Sequence, residues 1–318
     1  MKRALVITYY WPPAGGPGVQ RWLKFITYFK EFGIDPIVFI PDNPHYPLKD
    51  ESICSELPKG IQIIRFPIKE PYRFANLFSK KKTNRVSSGI ITKQKQSVLE
   101  KVLLWIRGNF FIPDARIGWV KPSINFLRNF IADHHVEAII TSGPPHSLHL
   151  IGKSLKKETG IKWIADFRDP WTTIHYHKSL RLSKIAQKKH IALESEVLTK
   201  ADHVVVTSAT TKREFQKITS TPIEVITNGY DSIDEFKPNL DIKFTLSHIG
   251  TLLSNRNPIV LWEALSELCS ENPEFSKDLL IQLAGSVSDA ILISIQKYGL
   301  MDQCIALGYL SHQKAIQL

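Results

Sequence analysis

Arg3-Ala4-Leu5-Val6-Ile7-Thr8, then Tyr9-Tyr10-Trp11-Pro12-Pro13-Ala14-Gly15-Gly16-Pro17-Gly18, then an amphipathic run from Val19 to Phe32: this opening decides the fold. The first piece is a short apolar run with β-branched residues, which reads as a buried strand. In the last piece Trp22, Phe25, Ile26 and Phe29 fall at i, i+3, i+4 and i+7 and form one apolar stripe of a helix, so these aromatics read as core. The glycines between strand and helix let backbone N–H groups approach a ligand, and the helix start behind them carries partial positive charge. Pro17 suits a first helical turn. The corner is a candidate seat for a phosphate or a sugar hydroxyl; the plain alternative is a tight turn. A dinucleotide fingerprint fits poorly. With Gly16 and Gly18 as its first glycines, Arg21 stands where the third belongs, although Asp42 could mimic the ribose acid.

Outward from this corner the same alternation continues, the pattern of a parallel sheet flanked by helices. Strands are predicted at Arg3–Thr8, Pro36–Ile40, Ile61–Phe66, Glu137–Thr141, Lys162–Asp166, His203–Thr207 and Ile223–Ile226. Helices are predicted at Val19–Phe32, Ile124–His134, Ser147–Glu158, Ile185–Lys200 and Thr210–Ile218. Thr227-Asn228-Gly229-Tyr230 reads as a turn, and Asp231–Asp241, polar with Pro238 inside, reads as a linker. That gives a first domain over 1–240 and a second over 241–318. The second series runs Phe244–Ile249, Pro258–Ser270, Leu279–Ala284, Ala290–Tyr298 and Gln303–Leu307, and Leu318 falls in the expected first turn of a further helix. The expectation is an α/β chain whose second doubly wound domain is incomplete.

The 318 residues are too many for one ordinary domain, and 43% hydrophobic with 22% charged residues is a globular composition. No apolar run approaches the roughly 18 residues of a spanning helix. Val102–Pro113 comes nearest and is broken by Arg107 and its terminal proline. Met1-Lys2-Arg3 before Ala4–Tyr10 mimics a signal peptide, but Pro12-Pro13 end the stretch and no small-residue cleavage site follows, so export is not expected. Cys54, Cys269 and Cys304 are odd in number and scattered, which argues against a disulfide framework and for a reducing cytoplasm.

The net charge of +11, with a pI near 9.4, favours acidic partners. Between Pro71 and Leu99 stand Arg73, Lys80, Lys81, Lys82, Arg85, Lys93 and Lys95 with no acid. With Ser87, Ser88 and Gly89 inside, this segment (71–99) reads as a basic loop able to hold an enzyme at an anionic membrane surface, at about 1 kcal/mol per cation. Nucleic acid is not expected, since no recognition helix, zinc finger or aromatic-basic strand signature is present.

Two further segments follow strands, at the edge where open parallel sheets bind ligands. In Ser142-Gly143-Pro144-Pro145-His146-Ser147, Ser147 is a candidate helix cap and His146 a candidate donor to a sugar hydroxyl or phosphate. In Asp166-Phe167-Arg168-Asp169-Pro170-Trp171, the Asp166, Arg168 and Asp169 group either binds an acceptor's hydroxyls or forms an internal salt bridge beneath Trp171. No metal is expected: there is no HExxH, no cysteine pair and no carboxylate-metal spacing, and His175 with His177 is too little for zinc. GxSxG and Walker A sequences are absent as well.

Taken in order, Tyr10-Trp11-Pro12-Pro13 with Gly15-Gly16 and Arg21, the Asp-Phe-Arg-Asp-Pro-Trp block, and Thr227-Asn228-Gly229-Tyr230-Asp231 with Phe236 and Pro238 resemble retaining glycosyltransferases of family 4. Ser247–Thr251, Leu280–Gly285 and Leu307-Gly308-Tyr309-Leu310-Ser311-His312 are similar to the first strands of that family's second domain, so the resemblance covers nearly the whole chain. The nearest subset acts in cell-surface polysaccharide assembly. The resemblance implies the GT-B fold, two Rossmann-like domains with the acceptor side first and the donor side second. It also implies a nucleotide-sugar donor held between them, retention of configuration, and no required metal or cofactor. Gly15 and Gly16 match the loop facing the donor phosphates, and His146 lies near the family's sugar-contacting histidine. Where family members carry Gly-Arg and a nearby Lys, Gly250 is followed here by Thr251, and Arg256 stands in for the diphosphate charge. The family's E-x7-E segment would lie beyond Leu318, which leads to the expectation of weak donor binding.

The sequence therefore points to a glycosyltransferase of hexosyltransferase type, peripheral at the inner face of the membrane, acting on a lipid-linked or polysaccharide acceptor. Two alternatives stay open. A nucleotide-sugar epimerase would turn over donor without acceptor, and a non-catalytic fragment would bind glycan or membrane only.

Overall fold

The structure is a computed structural model that describes residues 1–70, 98–174, 177, 180–230 and 240–318. Most of the basic 71–99 segment, His175, and residues 231–239 with Phe236 and Pro238 lie outside the described residues. The chain divides into two compact units, the first ending at Gly229 and the second running from Tyr230 to Leu318. The boundary stands ahead of the Asp231–Asp241 stretch.

The first unit is built on a seven-stranded sheet of β1 (Lys2–Ile7), β2 (Ile34–Asp42), β3 (Gln62–Pro67), β4 (Ala138–Gly143), β5 (Lys162–Phe167), β6 (His203–Val206) and β7 (Ile223–Val225). All pairings are parallel. The order is β3-β2-β1-β4-β5-β6-β7, so the winding reverses between β1 and β4. Along β1 the side chains alternate between two cores: Leu5 and Ile7 join one, Val6 the other. Helix α1 (Pro17–Phe29) covers the second core with Trp22, Leu23 and Ile26. Helices α2 (Val98–Phe110), α3 (Ile117–Asp133), α4 (Ser147–Thr159), α5 (Lys184–Lys200) and α6 (Ala209–Phe215) complete the unit among the described residues.

Two helices of the first unit differ from expectation. α2 occupies a stretch read as the end of a loop followed by a broken apolar run. α3 begins before Pro122 rather than after it. Trp119, almost fully buried and stacked on Phe39 at 5.1 Å, anchors that first turn and offsets the hydrogen bond the proline cannot make.

The second unit carries a three-stranded parallel sheet of β8 (Phe244–Ile249), β9 (Leu279–Ala284) and β10 (Cys304–Gly308), in the order β10-β9-β8. With it go helices α7 (Ile259–Glu271), α8 (Pro273–Asp278), α9 (Asp289–Lys297) and α10 (His312–Gln317). Its own core holds Trp262, Leu265, Ile281, Leu283, Ile291 and Ile295. Among the described residues no helix is long and apolar enough to cross a membrane.

Candidate functional site

In an open parallel sheet, the gap outside the strand ends is widest where the winding reverses. Here that point lies beyond β1 and β4, and three of the segments singled out above converge there. The glycine corner follows β1. Gly16 has φ +102°, a conformation that disfavours any side chain, and the space where a Cβ would project is open. It starts α1 without a side-chain cap; Pro17 has no N–H and the Val19 N–H donates to the Gly16 carbonyl at 3.1 Å, which leaves the Gly18 N–H of the first turn to a ligand or solvent. Gly15 is less available, because its N–H donates to the Leu48 carbonyl at 3.1 Å.

Arg168, just past β5, reaches into this corner. Its backbone N–H donates to Gly143 at 2.9 Å, its Nη2 donates to the Pro144 carbonyl, and its guanidinium lies 5.6 Å from the Tyr10 ring. A Cβ on Gly18 would overlap Arg168 Nη1, so the glycine is what lets the fork lie against the start of α1. Burial pulls the Arg168 pKa down, opposed chiefly by the Asp166 charge.

His146 follows β4. It is 6% exposed, and its ring is parallel to Trp171 at 5.0 Å. Neither ring nitrogen has a hydrogen-bond partner among the described residues. Burial first, and the nearby His149 and Arg168 second, hold its pKa well below the ordinary histidine value, so the ring is neutral at pH 7. A buried, neutral, unpartnered imidazole can donate to or accept from a hydroxyl without adding charge. Ser147 does not cap α4. The cap comes from Asp114, whose carboxylate accepts from Ser147 N (2.8 Å) and Ser147 Oγ (2.9 Å), since Ser147 is already the first helical residue and His146 holds the N-cap position without a side-chain bond.

Asp166 has another role than ligand contact. Its Oδ1 takes Arg21 Nη2 at 2.9 Å, and its Oδ2 takes Trp22 Nε1 at 2.9 Å and Ser142 Oγ at 2.8 Å. Both oxygens are filled and the side chain is buried, so of the two readings of this group the internal salt bridge holds for Asp166, with Arg21 rather than Arg168 as its partner. Asp169, by contrast, is exposed. The block therefore divides: Asp166 faces inward, Arg168 lies along the edge, and Asp169 faces outward.

Several supporting residues gave no local signal. Arg21 Nη1 also donates to the carbonyls of Ile226 (2.8 Å) and Thr227 (3.2 Å) and to Asn228 Oδ1 (3.1 Å), tying the chain after β7 to α1. Glu194 of α5 accepts from the N–H groups of Trp171 and Thr172 and from the Thr172 hydroxyl, and burial raises its pKa. Trp171 Nε1 donates to His190 Nδ1 at 3.1 Å. Below the corner, Arg116 pairs with Glu70 at 3.1 Å and donates to Tyr9 Oη at 3.0 Å, while Tyr9 donates to Glu70 at 2.7 Å. All of these partners are far apart in sequence, where periodicity carries no information about pairing.

In the second unit Gly250 ends β8, its N–H donating to the Ala284 carbonyl at 2.8 Å, and the space beside it is open. Gly285, at φ +114°, passes so close to the Gly250 carbonyl that a Cβ would overlap it. Arg256 lies in a short 3-10 turn (Ser254–Arg256) and is exposed. Among the described residues, no group of three or more His, Cys, Asp or Glu side chains could hold a metal ion.

The family model for glycosyltransferase family 4 matches residues 18–232. No curated protein matches the chain. Among solved structures, sucrose-phosphate synthase from Thermosynechococcus elongatus is 13% identical, with a TM-score of 0.59 over 99% of this chain and 72% of its own. HepE from Anabaena, in complex with UDP, is 12% identical, with a TM-score of 0.55 over 99% and 71%. An E. coli trehalose-6-phosphate structure bound with UDP-2-fluoro glucose is 13% identical, with a TM-score of 0.59 over 99% and 75%. At these identities the likeness is one of fold, and the fold is GT-B. The family match spans most of the chain, from Gly18 through the Arg168 edge to the Asn228 turn, and so the chain belongs to glycosyltransferase family 4 and is a glycosyltransferase.

Proposed function

We propose that this glycosyltransferase moves a sugar, with retention of configuration, from a nucleotide-sugar donor to a lipid-linked or polysaccharide acceptor, without a metal. The observation that carries this reading is the pairing of charge and neutrality at the switch point. Arg168 lies against the glycine start of α1, and the unpartnered His146 sits on the adjacent turn. Two structures of the same fold hold UDP or a UDP-sugar analogue, which supports a nucleotide donor.

In this reading the bond from the sugar's anomeric carbon to the phosphate oxygen breaks. A new bond to the acceptor oxygen forms on the same face. The acceptor's proton passes to the departing phosphate, so no protein carboxylate serves as general base. Gly16 and the α1 N-terminus stabilise a developing phosphate charge through oriented N–H groups. Gly15 shapes the corner through its bond to Leu48. His146, kept neutral, orients a sugar hydroxyl. Arg168 and the exposed Asp169 meet sugar or acceptor oxygens, with Asp166 positioning the strand beneath them. In the second unit, Gly250 offers close backbone approach and Arg256 offers positive charge to the diphosphate. The protein works at the cytoplasmic face of a membrane, held by its cations.

Screening UDP-, GDP- and other nucleotide-sugars for thermal stabilisation tests the donor class: a ligand at 100 times its dissociation constant adds about 2.7 kcal/mol. Stabilisation by one nucleotide class, followed by an axial or equatorial product matching the donor, supports the reading. No stabilisation by any donor refutes it, and epimerised donor without acceptor would move the protein to another reaction.

A further inference from the structure

Helix α2 (Val98–Phe110) turns one side to the first unit and leaves the other partly exposed among the described residues. Leu104 is buried, and Gly108, one turn on, lies so close to Leu180 and Leu182 that a Cβ there would crowd both. Opposite them, Val102, Leu103, Trp105, Ile106 and Phe110 are 36% to 69% exposed. At 100° per residue they share one broad face. Single exposed apolar residues need no explanation, but a contiguous face that includes a tryptophan and a phenylalanine does.

The surface beside this face is cationic. Asn109 accepts from Ser183 N at 2.8 Å and donates to the Arg181 carbonyl at 3.3 Å, which fixes the start of α5 against the end of α2. α2 and residues 180–191 carry six cations, Lys101, Arg107, Arg181, Lys184, Lys188 and Lys189, against one acid, Glu100. Ile185, near the start of α5, is 82% exposed. Apolar side chains with an indole ring, accompanied by an excess of cations over acids, match the layering of an anionic bilayer surface: acyl chains within, negative headgroups around. We propose that the exposed face of α2, with the start of α5, docks on an anionic lipid bilayer.

The face is coupled to the candidate site. His190 Nδ1 accepts from Trp171, so its Nε2 carries the proton and donates to the Gly108 carbonyl of α2 at 3.3 Å. Trp171 in turn stacks on His146. Docking through α2 would present His146 to a lipid-linked acceptor at the membrane surface. That presentation and the membrane location rest on the function proposed above; the choice of α2 as the docking face rests on its exposed apolar side chains.

The test is flotation of the full chain with vesicles of phosphatidylcholine alone and of phosphatidylcholine mixed with an equal amount of phosphatidylglycerol. A Val102→Ser/Trp105→Ser/Phe110→Ser variant and a Lys184→Glu/Lys188→Glu/Lys189→Glu variant are compared with the unaltered chain, all checked for an unchanged melting temperature. The expected result is binding to the anionic vesicles only, weakened at least about fivefold for each cation reversed and lost in the apolar variant. Because the substituted residues are exposed, nucleotide-sugar stabilisation is expected to be the same in all three chains, which separates failure of docking from failure of the donor assignment. Equal binding to neutral vesicles, binding that survives in the apolar variant, or self-association through this face without vesicle binding would overturn the proposal.

Discussion

Arg21 Nη2 and Asp166 Oδ1 lie 2.9 Å apart, with both side chains 1% exposed, and this buried pair joins the start of α1 to the end of β5. It sets the relation between the glycine corner and Arg168. Removing one member leaves an uncompensated buried charge, so Asp166→Leu is expected to cost about 3–5 kcal/mol in urea unfolding. The double variant Arg21→Met/Asp166→Leu is expected to recover a large part of that loss. Additive single and double effects would show that the two side chains do not act as a pair.

Gly18 and Gly16 are predicted to fail differently. Gly18→Ala pushes Arg168 from its place against α1, while the flexible guanidinium can move without breaking the core. Sugar transfer is expected to fall on the order of 100-fold with little change in melting temperature. Gly16→Ala meets no neighbour but adopts a strained φ, and is expected to cost about 1–3 kcal/mol in stability. Steady-state kinetics beside thermal unfolding separates the two.

Four buried histidines set the pH response. Burial depresses His146 well below the usual value, His149 to about 3, His177 to about 4, and His190 as well. Each folded pKa lies below its unfolded value of about 6.5, so the unfolded chain binds more protons as pH falls. Stability from these groups is complete above pH 6.5 and is lost as pH drops toward 4. Glu194, with its raised pKa, opposes the trend with one proton against four. Urea midpoints are expected to fall steadily from pH 7 to pH 5, and a flat profile would contradict this.

Trp171 is expected to separate stacking from hydrogen bonding. Trp171→Phe keeps a ring against His146 but leaves His190 Nδ1 without its donor, at about 1–3 kcal/mol. Trp171→Ala opens a cavity and removes the stack, at about 3–5 kcal/mol. If the stack holds His146 in place, transfer falls further in the alanine variant than its stability loss accounts for, read at a temperature where both variants remain folded.

The seven strands of the first unit were legible because each is a short, largely apolar run between turn residues, and both faces of the sheet are covered. The helix at Val98–Phe110 was hidden, since its apolar residues point outward and the usual inward stripe reduces to Leu104 and Gly108. The candidate site was legible as three turns at one sheet edge, because strand ends in a parallel sheet share that edge. Which side chains meet there was not. Asp166 and Arg168 are two residues apart, so they project on the same side of an extended chain, yet the long-range partner Arg21 claims Asp166. Such pairing depends on register and helix docking, which no local pattern encodes.

Arg168, laid against the glycine start of α1, is expected to act on the reacting sugar. The most direct measurement is kcat/KM for glycoside formation from the donor that stabilises the chain, in the unaltered protein and in Arg168→Met. A retained anomeric configuration and a loss on the order of 100-fold in the variant, with an unchanged urea midpoint, are expected. Equal kcat/KM in the two proteins, or a product of inverted configuration, would contradict it.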